Sequence, residues 1–302
     1  MDITVIVNQV VVLFLIILIG FYARKRDIVT ADMTGKLSTL LLQVTQPLLI
    51  ISSFQFELSP DRLRNALLVL ASSVFIHLFS MFLGKFLYLR FPKRTQDVLK
   101  YVTVFSNCGF MGFPVLESVF GSIGVFYGAL YVIPFNVLAL SYGTMVFTGS
   151  SDKDTLKKIF THPIIISVAV GMVLFLLQIQ LPKPISEAVS MVGSMTSPLS
   201  MLIVGCLLAN VPFRQLFKGK EIYVGSAVRL IILPLLIYGI LRLLPLPEEV
   251  LQVSVILTAM PAAANTAIFA EKFDGDAMLA SRLISISTIL SIFTIPLILL
   301  LL

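Results

Sequence analysis

Two short stretches of the sequence place helix-breaking and polar residues inside long apolar runs. The first is SNCGFMGFPV, Ser106–Val115, and the second is MPAAANTA, Met260–Ala267. Proline removes a backbone donor and clashes with the preceding turn, while glycine lets two backbones approach closely. Both stretches therefore predict an interrupted helix, whose second half begins with free N–H groups and a partial positive charge. Such an arrangement can bind an anion without a charged side chain.

The candidate binding residues of the two stretches carry amide, hydroxyl or very small side chains, or a proline ring. They are Asn107, Gly109, Gly112, Pro114, Pro261, Asn265 and Thr266. The amides and the hydroxyl supply neutral donors and acceptors beside the half-helix ends. The alternative is a pair of ordinary proline kinks, which membrane helices tolerate. Two breaks at corresponding positions of two halves favour a binding site.

Two further polar residues inside apolar runs are candidates for substrate binding. Arg229 follows Lys220 by nine residues, which is about 14 Å along a helix. A charge at this depth is costly and usually functional, so Arg229 is a candidate counter-charge for an anion. Its alternatives are snorkelling and a structural pair with helix-end carbonyls. Gln46, which precedes Pro47, either lines the substrate site or satisfies the backbone at a kink.

Titratable residues are scarce in the apolar runs. His77 is a candidate coupling residue because histidine titrates near neutral pH, and its alternative is a packed, hydrogen-bonded side chain. Glu117 and Glu271 lie toward the ends of their runs, where we expect them to be solvated. The sequence has no CxxC pair and no cluster of metal ligands, so we expect no metal and no cofactor. A membrane-embedded enzyme is disfavoured because no acid pair or catalytic histidine motif occurs at depth.

The composition places these residues in a membrane. The 302 residues are 58% hydrophobic and 13% charged, whereas an ordinary soluble domain is about 25% charged. Apolar runs of about 20 residues recur, and each can cross a hydrocarbon core of ~30 Å. The sequence therefore predicts an all-α polytopic membrane protein, and its net charge of +6 needs no nucleic acid to explain it.

We predict about ten transmembrane helices. They cover residues 4–22, 35–54, 63–84, 97–118, 121–146, 161–180, 186–208, 220–242, 249–270 and 278–300. Of the 22 lysines and arginines, 17 lie in the odd-numbered loops and four in the even-numbered loops. The positive-inside rule then predicts a multi-pass protein of the cell membrane, with both termini on the extracytoplasmic side.

An internal repeat divides the chain into residues 1–150 and 151–302. A shift by half the length sets VTQPL, Val44–Leu48, against MTSPL, Met195–Leu199, and overlays the two interrupted runs. Because each half has five spans, the second half must enter the membrane from the opposite side. The predicted fold is two inverted five-helix repeats, with broken helices 4 and 9 crossing at the bilayer midplane.

The sequence resembles the auxin efflux carrier family. The resemblance is carried by the ten spans, by QPLL in the second span, by SNCGFMGFPV in the fourth and by MPAAANTAIFA in the ninth. That family includes bacterial permeases for dicarboxylates and the plant auxin exporters, and the resemblance covers essentially the whole chain. It implies a transport domain of helices 3, 4, 5, 8, 9 and 10, which contains the crossover. It also implies a scaffold domain of helices 1, 2, 6 and 7 that often dimerises.

The family's crossover residues correspond to Asn107, Pro114, Pro261 and Asn265 here. The chain lacks the long central hydrophilic loop of the plant members, so the resemblance does not imply specificity for auxin.

The sequence therefore predicts a secondary transporter or facilitator for a small organic anion, an auxin-like carboxylate or a dicarboxylate, that works by an elevator-type alternating-access motion. The alternative is an ion-coupled cation exchanger of the same fold with His77 as the titrating group. The expected partners are the anion, membrane lipid and a second copy of the chain in a homodimer. No nucleic-acid partner is expected.

Overall fold

The computed structural model describes residues 3–149, 154–209 and 216–302. Helices joined by short turns account for most of these residues, and their only β structure is a single two-residue bridge. The prediction of an all-α membrane protein is confirmed. Five helical segments in the described part are long and apolar enough to cross a membrane: Pro60–Leu87, Ser122–Thr148, Lys183–Leu208, Lys220–Arg242 and Ala277–Leu301.

In the described residues the helices follow one another in chain order, and short π-helical turns occur in three places. The first half contains α1 Ile3–Lys25, α2 Ala31–Leu40, π1 Leu41–Thr45, α3 Gln46–Ser53, α4 Pro60–Leu87, α5 Lys93–Val104, π2 Cys108–Gly112, α6 Phe113–Phe120, α7 Ser122–Leu140 and α8 Tyr142–Thr148. The second half contains α9 Thr155–Phe160, α10 Pro163–Leu176, α11 Lys183–Ser194, α12 Thr196–Leu208, α13 Lys220–Ala227, π3 Val228–Ile232, α14 Leu233–Arg242, α15 Glu248–Ala259, α16 Thr266–Lys272 and α17 Ala277–Leu301.

Both predicted interruptions are present. The fourth predicted span is divided between α5 and the π2–α6 segment, and the ninth between α15 and α16. Phe105 and Met260, the residues that follow α5 and α15, have extended backbone. Each apolar run therefore contains two half-helices with a short extended segment between them.

Each π turn precedes a proline. Pro47, Pro114 and Pro234 each lie two residues after a π turn, in the first turn of the helix that follows. Proline cannot donate to the carbonyl four residues earlier, and its ring crowds that carbonyl. A wider turn relieves the crowding and lets the neighbouring amide bond one residue further back, as the Leu233 amide does to the Val228 carbonyl.

The chain divides into two compact units. The first unit contains Met1–Val69, Gly109–Leu130 and Phe160–Asn210, and the second contains Leu70–Cys108, Tyr131–Ile159 and Val211–Leu302. The two halves of the fourth predicted span belong to different units, and so α5 is grouped apart from α6.

The first unit depends on close backbone contact between α1 and α12. A β-carbon on Gly205 would lie 2.0 Å from the Ile17 carbonyl oxygen, and one on Gly20 would lie 2.1 Å from the Leu202 carbonyl oxygen. Between helices in lipid, where no hydrophobic driving force draws them together, small residues allow the close packing that holds them.

The second unit has a conventional apolar core where α5, α13 and α17 meet. Leu99, Ile222 and Leu283 are fully buried there. Gly225 of α13 faces Leu99 and Leu283, and a β-carbon on it would overlap both side chains. This core holds the end of α5 that leads into the first interruption.

We expect Gly205→Ala to destabilise the protein because the added methyl group would overlap the Ile17 carbonyl. Overpacking of this kind costs roughly 1–3 kcal/mol. The thermal unfolding midpoint of the detergent-purified protein should fall. Gly35→Ala is the matched control, since nothing lies within 4 Å of that position and alanine favours a helix. Equal midpoints for the two variants would contradict the close α1–α12 contact.

Candidate functional site

The backbones of the two interruptions hydrogen-bond to each other within the second unit. The Asn107 amide donates to the Pro261 carbonyl at 2.7 Å, and the Ala263 amide donates to the Phe105 carbonyl at 3.1 Å. An unpaired backbone group inside a membrane costs several kcal/mol. Each interruption therefore supplies the partner that the other one lacks.

Side chains hold this pairing from both sides. Ser106 and Ala262 form the antiparallel bridge between the two hydrogen bonds. The Ser106 hydroxyl donates to the Leu257 carbonyl at 2.8 Å, and the Ser287 hydroxyl accepts from the Ala262 amide at 3.1 Å. Ser106, Leu257 and Ser287 are all buried, so these bonds are shielded from competing solvent.

Arg229 binds carbonyls in the last turns of both helices that run into the interruptions. Its Nη1 donates to the Thr103 carbonyl of α5 at 2.8 Å, and its Nη2 donates to the Thr258 carbonyl of α15. The carbonyls of a last helical turn lack intrahelical partners and carry partial negative charge. One guanidinium thus caps two half-helices at the point where their negative ends converge.

This geometry favours the structural interpretation of Arg229. The side chain is only 1% exposed, and Nη1 also lies 3.5 Å from the Val102 carbonyl. Within the described part of the chain, Nε has no hydrogen-bond partner. The two helix ends account for a charge at this depth without a substrate, and a direct contact between Arg229 and an anion stays a prediction.

Asn265 and Thr266 lie where the second interruption ends and α16 begins. The Thr266 hydroxyl is buried and donates to the Ala263 carbonyl at 2.6 Å, so it is occupied by the backbone. Asn265 is half-buried, and its Oδ1 has no hydrogen-bond partner among the described residues. Asn107 on the opposite interruption is buried. Of these side chains, that of Asn265 has the clearest capacity for a further hydrogen bond, which its Oδ1 would accept.

His77 lies beside the first interruption but is packed and hydrogen-bonded. Its Nδ1 is 2.7 Å from the Ser73 carbonyl of the preceding turn. Its ring centroid lies 5.4 Å from that of Tyr131, 5.9 Å from that of Phe135 and 6.3 Å from that of Phe105. The structure favours the packed alternative, and a coupling role stays a prediction.

The remaining predicted residues belong to the first unit. Gln46 is fully buried, and its Nε2 donates to the Gly109 carbonyl in π2 at 3.3 Å. Its Oε1 has no hydrogen-bond partner in the described part of the chain. Gly112 ends the same π turn, and Pro114 is buried in the first turn of α6. The structure therefore joins Gln46 to π2, which fits the interpretation of a residue that satisfies irregular backbone.

The expectation of a solvated Glu117 is wrong. This residue is half-buried in the first unit, and its carboxylate accepts a hydrogen bond from the Ser197 hydroxyl of α12. Glu271, in contrast, is exposed as expected.

Sequence reasoning did not identify the hydroxyl residues before each break. The hydroxyl oxygens of Tyr131 and Thr258 are 3.3 Å apart, and those of Tyr88 and Thr103 are 2.6 Å apart, so each pair is hydrogen-bonded. These pairs fix the two threonines whose carbonyls Arg229 binds. The available signal was a threonine three or four residues before the first polar or proline residue of each interruption.

Comparisons with known proteins agree over the length of the chain. The model of a family described as "Membrane transport protein" matches residues 5–155 and 143–299. An uncharacterized transporter of Methanocaldococcus jannaschii is 22% identical over 301 residues, which are 96% of this chain and 96% of the relative. The uncharacterized transporter YfdV of Escherichia coli K12 is 22% identical over 308 residues, covering 97% and 96% of the two chains.

A third relative is similar over less of its length. A protein of Rhizobium meliloti named "Putative malonate transporter" is 26% identical over 140 residues, which are 46% of this chain and 43% of the relative.

We expect Arg229→Gln to lower the thermal unfolding midpoint because it leaves two buried helix ends without a cationic cap. A hydrogen bond to a charged group contributes about 1.5–3 kcal/mol. Arg229→Lys should recover only part of the loss, since one ammonium cannot reproduce the planar fork of a guanidinium.

Arg242→Gln is the matched control for the Arg229 variants. Its guanidinium is exposed and paired with the exposed Glu248, so the midpoint should hardly change. An Arg229→Gln protein that unfolds like the wild type but no longer transports would contradict the cap and favour the counter-charge.

Proposed function

The chain belongs to the membrane transport protein family, and on this premise we propose that it carries a small organic anion across the cell membrane. The family match confirms the resemblance to the auxin efflux carriers. Because the family and the full-length relatives are transporters, the chain is a membrane transporter and not an enzyme.

The observation that carries the proposal is the paired interruption with its cationic surroundings. The mutual backbone bonds pair two broken helices at one place, and the Asn107 and Asn265 side chains belong to these two interruptions. Residues 98–116 and 250–270 contain no aspartate or glutamate, while the fully buried Arg229 lies against both helix ends. The local charge therefore favours an anion over a cation.

We propose a carboxylate, and a dicarboxylate in particular, as the substrate class. A carboxylate can be bound by neutral amide donors. The name of the Rhizobium meliloti relative refers to malonate, which is a small dicarboxylate. The cation exchanger with His77 as titrating group receives less support, because His77 is enclosed by aromatic rings and bonded to its own helix.

We further propose ten spans in two inverted five-helix repeats, with the crossover at the midplane and both termini extracytoplasmic. Predicted helices 1, 2, 6 and 7 fall in the first unit, which we propose as the scaffold of a homodimer. Predicted helices 8, 9 and 10 and the first half of helix 4 fall in the second unit. Transport would then follow an elevator-type movement of the second unit that carries the paired interruptions.

Malonate uptake into proteoliposomes tests the binding site. We expect Asn107→Ala and Asn265→Ala each to reduce the uptake rate roughly tenfold or more, as removal of one or two hydrogen bonds to a charged ligand implies. Asn136→Ala is the matched control, because the side-chain Nδ2 of Asn136 donates to the Val132 carbonyl of its own helix at 2.8 Å. If both test variants fold and transport like the control, the paired interruption is not the binding site.

The same assay distinguishes the two coupling hypotheses. We expect His77→Leu to retain malonate uptake and its dependence on pH over about pH 5–8, where an unperturbed histidine titrates. Leucine can occupy the aromatic pocket without the charge change. A variant that folds, as shown by its unfolding midpoint, but loses the pH dependence would support His77 as the coupling group.

A further inference from the structure

An open groove on the second unit lies outside the paired interruptions. It has a volume of about 400 Å³ and is lined by Leu78, Met81, Phe82, Lys85, Lys100 and Tyr142. Four of these residues lie on α4, one on α5 and one on α8. The volume is in the range of ordinary small-molecule sites, which span about 300–1,000 Å³.

The α4 wall of the groove changes from apolar to cationic along its axis. Its four residues are spaced by three, one and three positions, which places them on one helix face. Leu78 and Phe82 are 51% and 63% exposed, so this apolar face has little protein covering it. Lys85 lies in the last turn of α4, about 10 Å from Leu78 along the axis. The wall thus changes from apolar to charged in the same order as one bilayer leaflet does from its acyl chains to its headgroups.

A second cation lies at the same end of the groove. A β-carbon on Gly84 would be 3.8 Å from both Cα and Cγ of Lys100, so the Lys100 stem runs beside the last turns of α4. Lys100 donates to the neutral Oε1 of Gln96 at 3.1 Å. Lys85 and Lys100 thus both line the groove, and their stems lie on neighbouring stretches of α4 and α5.

Neither lysine is neutralised by an acid in the described part of the chain. Asp97, three residues before Lys100, is paired with Lys93 instead. The cationic end of the groove therefore retains two positive charges. Tyr142 adds an aromatic side chain with a hydroxyl, the type of residue that is enriched where hydrocarbon meets headgroups.

We propose that this groove binds an anionic phospholipid. The phosphate lies between Lys85 and Lys100, and an acyl chain lies along Leu78, Met81 and Phe82. Charge complementarity and the apolar-to-cationic order along α4 favour this ligand. A soluble anion could bind the lysines but would leave the exposed apolar wall without a contact. Basic pockets between membrane helices bind anionic headgroups by the same combination of forces.

Native mass spectrometry of the full-length protein in detergent tests the site with phosphatidylglycerol and phosphatidylcholine of identical acyl chains. The wild type should retain phosphatidylglycerol preferentially. Lys85→Gln with Lys100→Gln should weaken that binding roughly tenfold or more, since each lysine contributes to the attraction of an anionic lipid. Binding of phosphatidylcholine should be unchanged, which also shows that the double variant is folded.

Arg90→Gln with Arg94→Gln is the matched control. Arg90 lies in the turn after α4 and Arg94 in the first turn of α5; both are exposed, and neither lines the groove. This variant should keep the preference for phosphatidylglycerol. Phe82→Ala should weaken binding of the lipid, and inorganic phosphate should not displace it. Equal retention of the two lipids, an equal loss in both double variants, or displacement by phosphate alone would each overturn the proposal.

Discussion

A backbone N–H or C=O group in hydrocarbon has no water to bind, and this constraint governs the structure around the two interruptions. Breaking one helix inside the membrane would leave several such groups without partners. Here two helices are broken and the breaks are placed against each other, so that Asn107 bonds to Pro261 and Ala263 bonds to Phe105. An irregular segment that could not persist alone is stable as one of a pair.

The paired breaks impose a second requirement, which is electrostatic. Two helices that stop at the same place bring their negative ends together, and those ends repel each other in a medium of low dielectric constant. Arg229 meets this requirement with a single side chain, because its planar fork of donors reaches the Thr103 and Thr258 carbonyls at once. The positive charge remains next to the interruptions, where it offsets the partial negative charge of both helix ends.

Arg229 itself lies in irregular backbone. It is part of the π3 turn that precedes Pro234, and Gly109 and Gly112 lie in π2 before Pro114. A π turn shifts the register of the side chains that follow it. Because the proline in the next helix favours the π turn before it, that proline influences which residues face the core. Gln46, the first residue after π1, donates to the Gly109 carbonyl in π2. A polar side chain next to one irregular turn thereby supports the backbone of another.

The local sequence determined the membrane class, the position of the long apolar helices and the two interruptions. The eighth predicted span, 220–242, coincides with the helical segment Lys220–Arg242, and Pro114 and Pro261 correctly marked the broken runs. These features depend on residues within one or two turns of each other, whose effect on a helix is the same in most surroundings. The sequence also identified Arg229 as exceptional, because a charge in an apolar run requires a partner.

Only the tertiary structure decided what those residues contact. The carbonyls that Arg229 binds are 126 and 29 residues away, and the serine that binds Glu117 is 80 residues away. A backbone carbonyl carries no mark in the sequence, since every residue has one, so its role as a partner arises only when packing brings a helix end to a donor. For the same reason His77 was open to two interpretations until its aromatic neighbours were known.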